Sequence, residues 1–410
     1  MRKPIRTKIV GAPKIRTLPS TLQRNTAMLS WYEQEILKLA KQFGGFFNAH
    51  AHLDRANTLE SIYLEHIGTS PLDASILPLS VKQNLVGDLH KGCAYTEENL
   101  RERFRRNLEL QIAFGVTCID TNIDATPDLP EGGMLAMRVA REVAAEYEHL
   151  ITVRIAPTPI FGFKYDPVDS PSRWEVFKKA CALADYVSAL PEKDDFPRGF
   201  DKNPMLDFKH HIRLALEVAC DRKVEVQFHL DQANIPSENG TERLLDVLEV
   251  MEMPDIPNHT GPSVWVVHMI SPSSYDEPRF KRLIERLLRF NVGVIVCPSA
   301  ALSMRQLRAV SAPTHNSIAR VLELIKARVP IRIGTDNIFD VFVPQGDGDM
   351  LTEIKMGGVA LRLNSPSIWA KLATGKRLNN VDINTVSRML HEERKANRAV
   401  STNGWEPAIE

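Results

Sequence analysis

Eight short apolar runs, each followed by a helical stretch, set the tightest limit on what this chain can fold into. They are "FFNAH" (46–50), "VTCIDTNI" (116–123), "ITVRIAP" (151–157), "DYVSAL" (185–190), "KVEVQFHL" (223–230), "SVWVVHM" (263–269), "VGVIVCP" (292–298) and "PIRIGTD" (330–336). Near-continuous apolar character is what parallel strands need when helices cover both faces of a sheet. Eight strands alternating with helices predict an α/β fold, a closed (β/α)8 TIM barrel with an N-terminal arm and helix and with C-terminal helices. A doubly wound open sheet reaches the same count and is the alternative. The chain divides on this reading into a basic arm and helix (1–45), a barrel (46–374) and a helical extension (375–410). The connection 54–98 is too long for a plain strand-to-helix loop. It contains "TSPLDASILPLSVKQNLVGDL" and is expected to form a lid or a partner contact.

Composition narrows the function classes. The 410 residues carry 51 Lys plus Arg against 51 Asp plus Glu. A net charge of zero argues against nucleic-acid binding through bulk charge. No apolar run has the roughly 18 residues a membrane span needs. Five scattered cysteines, with no Cys-x-x-Cys spacing, suit a reducing, cytoplasmic setting better than a disulfide framework. The first acid is Glu33, after seven Lys and Arg, and no apolar signal core lies in that stretch. A surface arm fits it, and such an arm could serve a homo-oligomer contact.

In a barrel of this kind the site lies at the C-terminal ends of the strands. The first run ends in His50-Ala51-His52, whose alternation puts both imidazoles on one side. The fifth ends in His229, the sixth in His268 and the eighth in Asp336. Asp336 alone would read as a turn residue. Four histidines and an aspartate converging on one rim, from a chain with 12 His, read instead as a metal site. Imidazole nitrogens with one carboxylate oxygen suit one divalent zinc or iron, with manganese as a third candidate. His210 and His211, adjacent within a helical stretch, read as surface residues.

The motifs "FFNAHAHLD", "VQFHLDQ", "VVHMIS" and "GTDNIFDVFVPQGDGDM" resemble the amidohydrolase superfamily. The similarity runs from about 46 to 363 and is strongest to the cytosine deaminase-like branch, which includes N-isopropylammelide isopropylaminohydrolase. The resemblance implies that His50, His52, His229 and Asp336 hold a single metal. The fourth run offers no lysine to bridge a second one. It implies that His268 faces a small-molecule substrate and polarises the atom under attack. Asp336 would also take the proton of a metal-activated water and pass it to the leaving nitrogen. Asn337 would orient the rim or the substrate.

The chain also departs from that pattern. The branch carries a glutamate three residues after the fifth-strand histidine; here that position is Gln232, and a carboxamide does not shuttle protons. The triazine relative's histidine two residues after the metal ligand is here Asp231. The recognition glutamine near the end of the third strand is missing from "APTPIFG", where Thr158 stands. The small β-sandwich that usually frames the barrel has no counterpart in the run pattern. An amide carbonyl needs no ring protonation, so hydrolysis of an amide-type C–N bond in a small nitrogen-rich molecule is the leading expectation, with Gln232 binding substrate. Deamination of a heterocyclic amine, with Asp231 as the acid, is the second. A fold retained only for binding is the third. Thr158, and Ser299, Ser303 and Arg305 after the seventh run, are candidate substrate contacts. Asp54 pairs with Arg55 or reaches the substrate, and Asp120, Asn122 and Asp124 line the mouth or bond within it.

Overall fold

The computed structural model describes residues 28–77, 79–163, 172–195, 207–303 and 318–401. Arg305 and nearly all of the basic arm lie outside the described residues. Eight parallel strands follow the order of the chain: β1 (Phe46–Ala51), β2 (Val116–Asp124), β3 (Thr152–Thr158), β4 (Val187–Ala189), β5 (Val226–Leu230), β6 (Val264–His268), β7 (Gly293–Val296) and β8 (Ile331–Ile333). β1 to β3 pair in sequence order, and so do β4 to β8. Two seams join these arcs. Asp185 closes the β3–β4 seam, its N–H donating to Ile155 O and its carboxylate accepting from Ile155 N. The β8–β1 seam is a single ladder pair between Ala51 and Asp336. The barrel is thus shut partly by the residues expected at its active rim.

Helices follow the strands one by one, from Glu97–Ala113 after β1 to Met350–Leu361 after β8. Their starts carry the expected signals. Asp276 caps Glu277–Arg289 by accepting from Arg279 N, with Pro278 in the first turn. β5 begins three residues later than its apolar run, because Lys223 ends the preceding helix in the left-handed conformation (φ 53°). The main core lies between the strands' outer faces and the helices, and a smaller cluster of Ala49, Trp265, Val267 and Ile295 fills the barrel. At the bottom of the barrel, buried Glu225 accepts from Arg154 and Arg332.

The 54–98 connection is helical, and its longest helix, Leu79–Lys91, sets Val86 against Ile160 and Leu190 beside the strand ends. Among the described residues no strand lies outside the eight. The helix Trp31–Gln42 packs on Pro366–Leu372, and Asn380–Ser401 packs on Val321–Ala327. Among the described residues no helix is long and apolar enough to cross a membrane.

Gly334 shows how tight the closing seam is. A Cβ there would lie 2.6 Å from His50 Cβ and 2.8 Å from the His50 backbone. We expect Gly334→Ala to destabilise the fold by about 1–3 kcal/mol, read as a lower thermal midpoint. An unchanged midpoint would show that the seam is loose.

Candidate metal centre

The β8–β1 seam is also the floor of the site. Asp336 N–H donates to His50 O at 2.8 Å, and His52 N–H donates to Asp336 O at 3.3 Å. Their side chains turn to one point. Asp336 Oδ1 lies 3.3 Å from His52 Nε2 and 3.6 Å from His50 Nε2, and Oδ2 lies 3.7 Å from His268 Nε2. His229 Nε2 is 3.1 Å from His50 Nε2. All five residues are buried.

Two of them reach the centre through unusual backbone. The β5–β6 register sets His229 beside Val267 and Leu230 beside His268. Strict alternation would therefore turn His268 outward with Leu230. Its φ of 80° breaks the extended strand and brings the ring inside. Asp336 has φ 59°. Left-handed backbone at a non-glycine costs roughly 1–3 kcal/mol, and such positions persist where the surroundings hold them.

The electrostatics suit lone-pair donors. Burial, helped by the neighbouring rings, pushes His50 down to about 3 and His229 well below its ordinary value, so both imidazoles are neutral at pH 7. Burial also lowers His268. Burial alone would raise Asp336, but the hydrogen bond with His52 and the electrostatic influence of the His268 and His50 rings hold it far below the usual carboxylate range. Donor atoms of His50, His52 and His229, and separately those of His50, His268 and Asp336, lie within 4.8 Å of one another. Two of the outward nitrogens are braced. His50 Nδ1 meets Gln227 Oε1 at 3.1 Å, and His229 Nδ1 meets Ala189 O at 3.3 Å. Behind His229 that acceptor holds the proton on Nδ1 and leaves Nε2 free to ligate. Three imidazoles and an ionised carboxylate facing one point fit a divalent metal held by His50, His52, His229 and Asp336.

Gln227 is the link that the sequence reading missed, although it stands two residues before His229 and so shares its face. Its Nε2 donates to Asp120 Oδ2 at 3.0 Å, and Asp120 meets Arg154 at 3.3 Å. The ligand shell is thereby tied to the charged bottom of the barrel. Asn122 Nδ2 lies 2.9 Å from His50 Nδ1, and Asn122 Oδ1 accepts from Tyr186 Oη. Asp124 bonds Arg55, His90 and Tyr95, and Tyr95 also donates to Asp54. Asp54 and Arg55 thus belong to one buried network built on Asp124.

The remaining predicted residues separate. Asp231 is not free to act as an acid on a substrate. Its carboxylate accepts from Gly240 N, Thr241 N and Thr241 Oγ1, capping the helix Gly240–Leu248. Gln232 is buried, and its Nε2 donates to Glu192 Oε2 at 2.9 Å. Asn337 Nδ2 donates to Asp340 Oδ2, which engages its amide in the rim turn. Thr158 ends β3, buried, with no hydrogen-bond partner for Oγ1 among the described residues. Ser299 is bound through N–H and Oγ to Glu353, and Ser303 to Ala300 O, which makes both structural. His211 is no surface residue: it is buried, stacks on Phe163 and bonds Asp194.

No family model matches the chain. A protein of Haemophilus influenzae described as uncharacterized is 28% identical over 300 residues, covering 72% of this chain and 94% of that one. Among solved structures, 5-methylcytosine deaminase from Klebsiella pneumoniae liganded with phosphonocytosine is similar, with a TM-score of 0.64 and 21% identity over 84% of this chain and 82% of that one. N-isopropylammelide isopropylaminohydrolase from Burkholderia multivorans is similar too, with a TM-score of 0.57 and 15% identity over the same shares. The likeness is one of fold: this chain shares the α/β barrel of these two enzymes.

Gln227→Leu would remove the acceptor behind His50 while keeping the volume. We expect metal affinity to fall roughly 10–100-fold, measured by chelator competition. Unchanged affinity would show that His50 is oriented without it.

Proposed function

We propose that this chain is a metal-dependent hydrolase of C–N bonds in small, nitrogen-rich molecules, with amide-type substrates as the leading class. The observation that carries the reading is the convergence of His50, His52, His229, His268 and Asp336 on one buried point. Similarity of fold to two enzymes whose names describe a cytosine deaminase and an aminohydrolase supports it.

His50, His52, His229 and Asp336 would hold the metal, zinc or iron by donor type, and when bound it supplies positive charge that polarises the bond under attack and acidifies water. Asp336 keeps an ionised carboxylate in the site, able to accept a proton from the attacking water. His268 stands opposite, beside Asp336 Oδ2, with no hydrogen-bond partner on Nδ1 among the described residues. It is placed to steady the oxygen on which charge develops. Val86, Ile160 and Leu190 form an apolar wall beside the strand ends, partly lined by Phe342. Such a wall keeps water out and favours a flat, uncharged substrate. Release of ammonia from a ring amine is the second reading. The half-buried carboxyl of Glu192 beside Gln232 favours it, since ring amines need an acid near the ring nitrogen.

The test is turnover by metal-loaded protein against a panel of amides and aminated nitrogen heterocycles. A carboxylate plus an amine is the product expected from the first reading, and ammonia from the second. In either case His268→Asn should lower kcat by roughly 100-fold or more while metal content is kept. Full metal loading with no turnover would make the chain a binding protein and overturn the hydrolase reading.

A further inference from the structure

The turn after β4 carries an acid that the sequence pattern gave no reason to select. We propose that Glu192, in the turn Pro191–Asp194 and held by the Gln232 side chain, is the catalytic proton donor to the substrate nitrogen bonded to the carbon under attack. The assignment rests on the C–N hydrolase reading and adds to it the residue that handles the nitrogen.

Placement is the first argument. The end of β4 is part of the site wall: Ala189 O braces the His229 ring, and Leu190 belongs to the apolar wall. Glu192 follows two residues later. Its Oε1 accepts from Asp231 N at 2.6 Å and its Oε2 from Gln232 Nε2 at 2.9 Å. Asp231 and Gln232 are the second and third residues after His229. The carboxyl therefore sits at the C-terminal end of β5, on the rim that carries the ligands.

The local fold also explains why a carboxamide stands at position 232. A glutamate there would set a second carboxylate against Glu192, whereas the amide of Gln232 donates to it and fixes its orientation. Gln232 is thus a positioning residue for the acid beside it. Asp231 does not compete for the role, because its oxygens accept three hydrogen bonds from Gly240 and Thr241.

The surroundings favour the acid form. Burial raises Glu192 well above the ordinary carboxylate range, and the nearby Glu238 raises it further. Glu238 is itself pushed up to about 7, by burial first, and it accepts from Ser271 Oγ and Ala233 N. Among the described residues, the charged and titratable groups facing Glu192 are Glu238 and Asp231 from the β5 side and Lys193 on its own turn. Lys193 is lowered to about 8, chiefly by burial. A donor with a raised pKa works at neutral pH and fails as pH rises through that pKa, when the carboxyl loses its proton.

The step balances. Water oxygen bonds to the carbon, and one of its protons passes to Asp336. The C–N bond breaks as Glu192 gives its proton to the nitrogen, which leaves as a neutral amine or as ammonia. The proton on Asp336 exchanges through water and restores the acid form of Glu192. One water is consumed, and no oxidant or reductant is needed.

The experiment compares metal-loaded wild type, Glu192→Gln, Glu192→Asp and the exchange variant Glu192→Gln/Gln232→Glu. Infrared difference spectra between wild type and Glu192→Gln give a readout independent of turnover. We expect the C=O stretch of a protonated carboxyl at neutral pH, lost in Glu192→Gln. On whichever panel substrate wild type cleaves, Glu192→Gln should lower kcat roughly 100-fold or more, keep KM within about threefold and abolish the alkaline fall of the kcat profile. Glu192→Asp and the exchange variant should recover part of the loss, since each returns a carboxyl to the same spot. Wild-type turnover with kcat and alkaline limb intact in Glu192→Gln would overturn the assignment and leave the hydrolase reading standing. Fully metal-loaded wild type with no turnover would overturn the hydrolase reading and the role of Glu192 with it.

Discussion

The seam between β8 and β1 is the constraint on which the rest depends. A barrel must close, and here the closing backbone bonds are made by His50, His52 and Asp336, whose side chains form the site. Fold closure and side-chain convergence are one event. Gly334 permits it by letting β8 lie against the His50 backbone, and the left-handed Asp336 turns its carboxylate inward. Strain at His268 and Asp336 is held by strands buried on both faces.

Around this seam the polar groups are arranged in depth. Burial keeps His50 and His229 neutral, and proximity to the rings keeps Asp336 ionised. A barrel filled only with apolar side chains could not hold such a set, because the outward nitrogens of His50 and His229 are met by polar partners. Gln227, Asp120 and Arg154 supply a continuous path from the ligand shell to the charged bottom of the barrel. Asp54, Arg55, His90, Tyr95 and Asp124 form a second buried network around the segment following β1. There, hydrogen bonds to Asp124 and Asp128 outweigh burial and raise His90 to about 9, so the 54–98 connection is pinned by a cation at neutral pH.

Much of this could be read from the chain, and the reasons are local. Strand-length apolar runs followed by amphipathic stretches are period signals, and they located all eight strands and most of the helices between them, though not Arg173–Cys181. Strand-end histidines and Asp336 were legible because a barrel puts every strand end on one rim. What stayed hidden depends on geometry across the chain. His268 was placed at the rim as a strand-end residue, but the left-handed backbone that turns its ring inward against the strand alternation was not legible. Asp231 looked like a free acid because its capping partners lie nine and ten residues away, across a loop. Glu192 lies in a polar turn like many others, and only the folded chain sets it against Gln232. His211 looked solvent-facing because its partners, Phe163 and Asp194, come from separate segments.

The central claim is that the five converging side chains are a metal centre. Elemental analysis of protein purified without chelators, beside His229→Ala and Asp336→Ala, tests it most directly. The account predicts about one equivalent of zinc, iron or manganese per chain, lost in both variants while the fold is kept. A wild-type chain that carries no metal and takes up none on reconstitution would contradict it.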